Sequence, residues 1–185
     1  ARSLGTRVRV VANLPYAVSS PILRRLLDAR AALLDWSVML QREVAERVLA
    51  APGEPGYGSL AVLHGLTVTA SRGIELAPSD FFPAPRVRSR FFRLTPRRGD
   101  APHDDGPHDD GLDDETLLRL ERVARAAFGQ RRKQLANALR GGQRPLSADA
   151  VLRALAACGI DPRARAEALA PAAFLAIARA LGSAL

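Results

Sequence analysis

The hydrophobic pattern opens with RVRVVA at residues 7–12, where valines alternate with arginines before three apolar residues follow one another. That pattern predicts a short strand, buried toward its end. Ser20-Pro21 then supplies an N-cap and a first-turn proline for a helix reaching Arg30, with Ile22, Leu23, Leu26 and Leu27 as its apolar stripe. DWSVMLQ at 35–41 reads as a second strand. REVAERVLA at 42–50 reads as a second helix, with Val44, Val48 and Leu49 on one side and Pro52-Gly53 as its stop. This alternation predicts a parallel sheet with crossover helices. YGSLAVLHGL at 57–66 fits helix or strand, with helix preferred. TVTASRGIEL at 67–76 and RVRSRFFRL at 86–94 read as strands. The expected class is therefore α/β, in a domain spanning residues 1–95.

The pattern then changes. Residues 96–114 carry PHDDG twice and, apart from Leu112, no apolar residue able to hold a core, so they are expected to form an acidic, flexible linker. Two histidines among aspartates suggest metal ligation, but nothing nearby would fix such ligands, and no metal site is assigned. From 115 to 185 the chain is rich in helix formers. ETLLRLERVARAAF, GQRRKQLANALR, SADAVLRALAACG and PAAFLAIARALG predict four helices, separated by Gly141-Gly142, Pro145 and Gly159-Ile160-Asp161-Pro162. A second, all-helical domain follows from them.

Charge sharpens this picture. The 185-residue chain has a formal net charge of +8, yet eight of its 19 acidic residues lie between Asp100 and Glu115, where there is no Lys or Arg. The remainder is strongly basic, which suits a polyanionic partner such as nucleic acid. Nearly all of the 27 basic residues are arginines, and a GC-rich genome is the simpler source of that bias. Cys158 is the only cysteine, which excludes an intrachain disulfide and fits a reducing compartment. The longest uncharged run, 55–71, is broken by glycines and His64, so no membrane span or secretory signal is read and a cytosolic location is expected.

The candidate chemistry lies in Asn13-Leu14-Pro15-Tyr16, at the carboxyl end of the first strand, where open α/β sheets bind ligands. The Asn13 side-chain oxygen can accept from an exocyclic amine, Pro15 fixes φ and helps aim the Leu14 carbonyl at the same point, and Tyr16 offers a face for a planar base. Adenine fits. Its N6 lone pair is delocalised into the ring, and two acceptors holding the N6 hydrogens favour the tetrahedral geometry that frees the pair to attack a sulfonium methyl group. Positioning and dipoles then do most of the work, without a strong base. A plain turn after a strand accounts for the tetrapeptide equally well.

NLPY at 13–16, MLQREVAERVLAAPGEPGYGSLAV at 39–62, FFPAPRVRSRFF at 81–92, FGQRRKQLANAL at 128–139 and GIDPRARAEAL at 159–169 occur in the order of one family. Together they closely resemble the bacterial small-subunit rRNA adenine N6,N6-dimethyltransferases of the KsgA type, over residues 8–181 apart from the linker. The resemblance implies a Rossmann-like methyltransferase sheet followed by a small helical domain, S-adenosyl-methionine as methyl donor, and two neighbouring adenines near the 3′ end of small-subunit rRNA as substrate. It also implies the immature 30S subunit as partner, met by a monomer.

By the same resemblance, Asn13 and the Leu14 and Pro15 carbonyls hold the target amine, with Asn13 also beside the donor's methionine part. Tyr16 stacks on the base and Phe81 encloses it from another side. Phe82 falls where the family tolerates other residues and ranks lower. Gln130, Arg131, Arg132 and Lys133 begin a helix that positions the rRNA, with Phe128, Leu135 and Leu139 on its apolar side and Lys133, Asn137 and Arg140 on another. A core aromatic at Phe81 and a solvated basic helix face are the structural alternatives.

The family's donor site lies mostly upstream of the loop, in a glycine-rich turn and two acidic strand ends that this sequence does not contain. The chain is accordingly expected to be the carboxyl-terminal part of such an enzyme, inactive alone, with one edge of its first strand unpaired. A methyltransferase acting on large-subunit rRNA or DNA adenine, and a non-catalytic assembly factor that binds RNA, stay open as alternatives. The expected behaviour of the isolated chain is weak or absent binding of S-adenosyl-methionine and ready aggregation; micromolar donor affinity by isothermal titration would overturn it.

Overall fold

Strand β1 (Val8–Asn13) pairs in parallel with β2 (Leu33–Gln41), and the register ends with Asn13 opposite Met39. The computed structural model describes residues 7–71, 73–97, 112–130, 132–141 and 145–182. Between β1 and β2 the chain makes a 3-10 turn at Tyr16–Val18, helix α1 (Ser19–Asp28), which buries Leu23 and Leu27, and a second 3-10 turn at Arg30–Ala32. On β2, Trp36, Val38 and Leu40 alternate as fully buried side chains. Its other face mixes Leu33 and Met39 with polar residues: buried Asp35 pairs with Arg9 at 3.2 Å, and buried Ser37 accepts from Arg93 Nε at 3.4 Å. Helix α2 (Arg42–Leu49) follows and packs Val44, Ala45 and Val48 toward β2 and the last strand.

The sheet order is β1-β2-β5-β3, with β4 also on β5. The expected all-parallel sheet is corrected to a mixed one, because β5 (Ser89–Pro96) runs antiparallel to β2, to β3 (Val68–Ser71) and to β4 (Glu75–Leu76). The reason lies in the connections. Strands β2 and β3 are joined through helices and are parallel to each other, but residues 77–88 between β4 and β5 carry Pro78, Pro83 and Pro85 and form only a 3-10 turn instead of a crossover helix, so the chain returns antiparallel and fills the space between them. The single strand expected over 67–76 is two pieces. A Cβ on Gly73 would lie 1.8 Å from the Phe91 carbonyl oxygen, so only glycine lets the chain step across this ladder. Among the described strands β1 is an edge, and its Val11 is 74% exposed.

These strands with α1 and α2, residues 7–49 and 67–97, form one of two compact units; residues 50–66 and 112–182 form the other. The second unit contains α3 (Ser59–Thr67, up to Leu66), α4 (Asp114–Gly129), α5 (Leu135–Arg140), α6 (Ala148–Ala157) and α7 (Pro171–Leu181). Residues 50–66 thus differ from the sequence division, which keeps them with the sheet. Long-range bonds explain their place: the Gly53 amide donates to the Glu167 carbonyl at 2.9 Å, and the Tyr57 hydroxyl donates to the Leu169 carbonyl at 2.7 Å. Phe128 meets Tyr57 edge-on at 5.5 Å and stacks on Phe174 at 5.4 Å. The side chains of Asp113 and Ser147 cap α4 and α6, as their residue types favour.

The helix expected from residue 129 begins only at Leu135. Gly129 and Gln130 end α4, and the first amides of α5 find distant partners: Leu135 N donates to the Ala164 carbonyl and Ala136 N to that of Pro162. Those acceptors fix where the helix can start. Both PHDDG repeats lie outside the described residues, while Leu112 beside them is buried. Among the described residues no helix is long and apolar enough to cross a membrane.

Burial raises the Tyr57 phenol from 10.0 to about 12. The stability contributed by the neutral hydroxyl is complete below the unfolded value of 10.0 and is lost as pH rises through about 12. Tyr57→Phe is expected to lower stability at neutral pH by about 1 kcal/mol and to flatten the alkaline loss; urea denaturation of both chains across alkaline pH measures each effect.

Candidate active site

The geometry of residues 13–16 follows from where the β1 ladder stops. Leu14 N donates to the Met39 carbonyl at 3.1 Å as the last rung, and Pro15, with φ −59° and no N–H, cannot make another. The chain turns instead. Val18 N donates to the Pro15 carbonyl at 3.2 Å and buried Ser19 Oγ donates to the Tyr16 carbonyl at 3.1 Å. Leu14 buries its side chain as the anchor of this turn. Asn13 is exposed at the strand end, and neither its side chain nor the Leu14 carbonyl has a hydrogen-bond partner among the described residues. Of the two backbone acceptors expected from the sequence, Leu14 is therefore open, whereas Pro15 already receives one bond.

Asn13, Leu14, Pro15 and Tyr16 line an open cavity of about 390 Å³ together with Phe81, Phe82, Pro83 and Pro85. That volume lies within the range of small-molecule sites, roughly 300–1,000 Å³. The lining combines an amide, a phenol and aromatic and proline surfaces, with no charged side chain. Phe81 is half-buried and follows a 3-10 turn at Pro78–Asp80, its amide donating to the Pro78 carbonyl at 3.3 Å. Phe82 is wholly exposed and is joined to Pro83 by a cis peptide bond.

Ser89 is a site residue that the sequence reading missed. It is fully buried in β5, opposite Gln41 on one side and Leu76 on the other, and its Oγ lies 2.7 Å from the Tyr16 hydroxyl. The bond pins the Tyr16 ring to the sheet. The only signal was a small polar residue inside RVRSRFF, which looks like an ordinary strand position. Beside it, Glu75 meets Arg88 at 2.9 Å, Arg90 at 3.2 Å and Arg42 at 3.8 Å. Hydrogen bonds from Arg88 and then Arg90 hold its carboxyl below the usual carboxylate range, so these contacts weaken only as pH falls beneath that range.

In the helical unit, Gln130 is half-buried and structural: its Nε2 donates to the Gly141 carbonyl at 3.1 Å. Arg131 lies outside the described residues. Arg132 and Lys133 are exposed in a turn, closed by Lys133 N donating to the Gln130 carbonyl at 2.8 Å, and Asn137 and Arg140 are exposed on α5. Phe128 belongs to α4, so it does not share a helix face with Leu135 and Leu139.

A sheet whose strand-end loop opens a small aromatic cavity, with a helical unit of its own core, is an α/β, Rossmann-like arrangement with a carboxyl-terminal helical part. The fold is shared with a dimethyladenosine transferase from Plasmodium falciparum, at a TM-score of 0.75 and 22% identity over 92% of this chain and 65% of that one. It is also shared with the 23S rRNA methyltransferase ErmE, at a TM-score of 0.60 and 21% identity over 95% and 66%. Sequence carries the relation further. Residues 2–182 match the family described as ribosomal RNA adenine dimethylase. The ribosomal RNA small subunit methyltransferase A of Methylobacillus flagellatus is 42% identical over 98% of this chain and 64% of its own length; that of Myxococcus xanthus is 41% identical over 95% and 58%. The chain belongs to the ribosomal RNA adenine dimethylase family. It spans between 58% and 64% of the length of these two relatives.

The Tyr16–Ser89 bond predicts coupling. Ser89→Ala and Tyr16→Phe are each expected to cost about 1 kcal/mol, and the double variant little more than either alone. Urea denaturation of the four chains gives the cycle, and additive losses would dismiss the bond.

Proposed function

We propose that the protein containing this chain transfers methyl groups to N6 of two adjacent adenines near the 3′ end of small-subunit rRNA, and that residues 13–16 and 81–85 receive the base. The observation that carries this reading is the pairing of two unengaged acceptors, the Asn13 amide oxygen and the Leu14 carbonyl, with the pinned ring of Tyr16 in one cavity. The names of the 42% and 41% identical relatives support the substrate.

In this reading a flipped adenine stacks on Tyr16, with Phe81 closing the cavity from another direction. Asn13 Oδ1 and the Leu14 carbonyl accept the two N6 hydrogens. They draw the nitrogen toward tetrahedral geometry, so its lone pair leaves the ring system and points out of the base plane. Positive charge growing on nitrogen as the sulfonium S–C bond gives way to the N–C bond is met by the same two dipoles, which need no reorganisation; the donor would leave as its thioether, and the methylated nitrogen would lose one N6 proton to water. Pro15 holds the loop rigid rather than serving as the main acceptor.

S-adenosyl-methionine supplies the electrophilic methyl when bound. The cavity lining fits a purine better than the donor, since it offers no acidic side chain for ribose hydroxyls; Asn13 is the lining residue proposed to touch the donor's methionine part. Arg132, Lys133 and Arg140 contact rRNA phosphates in the 30S precursor, in the cytosol, with the protein acting as a monomer. Such contacts make binding steeply salt-dependent.

The test uses the natural full-length product in a strain lacking its gene, with primer extension across the 3′ end of small-subunit rRNA. Wild type restores both modified adenines, and Asn13→Ala is expected to lower methyl transfer by about 10²-fold with purified precursor subunits. Unmodified rRNA in the complemented strain would overturn the proposal.

A further inference from the structure

Phe82 stands apart from every other aromatic side chain described. The remaining Phe, Tyr and Trp residues are buried or half-buried, whereas Phe82 has a relative exposure of 102%. It nonetheless lines the same cavity as Tyr16 and Phe81. Its segment is held firmly. Ala77 N donates to Asp80 Oδ2 at 2.7 Å and Asp80 N to the Ala77 carbonyl at 3.0 Å. Pro83 and Pro85 fix φ beyond it, and Arg42 N donates to the Arg88 carbonyl at 2.9 Å where the segment re-enters the sheet. An apolar ring is thus presented to solvent by a restrained backbone rather than left on a loose loop.

Exposure separates the two phenylalanines: Phe81 is half-buried in the cavity wall, whereas Phe82 has no protein cover. If Phe81 faces the base inside, Phe82 faces whatever lies at the rim. The charge of the segment says what that is: Arg86 is exposed and makes no ion pair among the described residues, while Arg88 is held by Glu75, and residues 81–88 carry no acidic side chain, so the surroundings favour a nucleic-acid strand over an apolar peptide.

We propose that Phe82 is the outer stacking residue of the site, taking the nucleobase that flanks the target on the substrate strand. Flipping the target removes the stacking partner of its neighbour, and an exposed aromatic at the rim replaces it. This lowers the cost of extrusion without reading the identity of the flanking base, since every base has a π-face. The inference rests on the proposed adenine-receiving cavity and names what binds beside it.

The test uses the full chain and a short single-stranded RNA carrying two neighbouring adenosines. One oligonucleotide places 8-vinyladenosine, a fluorescent base that keeps the N6 amine, at the target position, to report entry into the cavity. Others place 5-iodouridine immediately 5′ or 3′ of the target, for photocrosslinking mapped by mass spectrometry. The expected result is a crosslink at Phe82 from one flanking position, lost in Phe82→Leu, with binding weakened about tenfold in Phe82→Ala and retained in Phe82→Trp. The 8-vinyladenosine response should disappear in Tyr16→Ala and survive in Phe82→Leu. A surviving 8-vinyladenosine response with flanking crosslinks elsewhere, or with undiminished binding by Phe82→Ala, overturns the role of Phe82 and leaves the cavity standing. Absence of the 8-vinyladenosine response in the wild-type chain overturns both.

Discussion

The hydrogen bond from Leu14 N to the Met39 carbonyl is where sheet becomes site. A strand that continued one rung further would spend its acceptors on its neighbour. Proline at 15 has no hydrogen to donate, so the ladder ends and the Leu14 carbonyl is released from it. Because β1 and β2 are parallel, this end opens at the carboxyl edge of both strands, where there is no hairpin to cover it. An amide oxygen and a carbonyl oxygen then stand without a protein partner among the described residues in the same loop, free to accept from water or from a ligand's donor.

The opposite wall depends on β5 being antiparallel. Its first residue, Ser89, is caught between Gln41 and Leu76 while its hydroxyl reaches Tyr16, so one buried side chain ties the loop after β1 to the strand that follows the Phe81–Pro85 segment. The arginines on either side of it converge on Glu75 and lock β4 to the same place. The surface pairs contribute little individually. Their geometric effect is larger, since the wall residues are set by a strand register, and a register is either right or wrong by a whole residue.

Residues 7–50 were legible because each element there announces itself: a β-branched run, then Ser-Pro and a 3.6-residue stripe, then another run and another stripe. The tetrapeptide at the strand end was legible for the same reason, as a proline and an amide interrupting an apolar pattern. Strand direction was not. Alternating strands and helices predict parallel neighbours, and nothing in RVRSRFF says that this strand inserts between two others. Ser89 was hidden because the value of its hydroxyl lies in Tyr16, 73 positions away. Residues 50–66 went to the other unit for a similar cause: Tyr57 looks like any aromatic in a glycine-rich stretch until Leu169 accepts its hydroxyl.

The helical unit carries the same lesson into the basic segment. Local propensity favours a helix through Gln130 and Lys133, yet the Pro162 and Ala164 carbonyls accept the amides of Ala136 and Leu135 and start α5 there. Arg132 and Lys133 are consequently displayed from a turn, not along a helix face, and their spacing obeys no 3.6-residue period. Two stretches that resemble family motifs separately, FGQRRKQLANAL and GIDPRARAEAL, are thus one structural device, in which the second fixes the backbone from which the first projects its cations. A change at Pro162 that lets the helix grow backward would redirect those charges without removing any, so the electrostatics of this segment are set by backbone hydrogen bonding as much as by its composition.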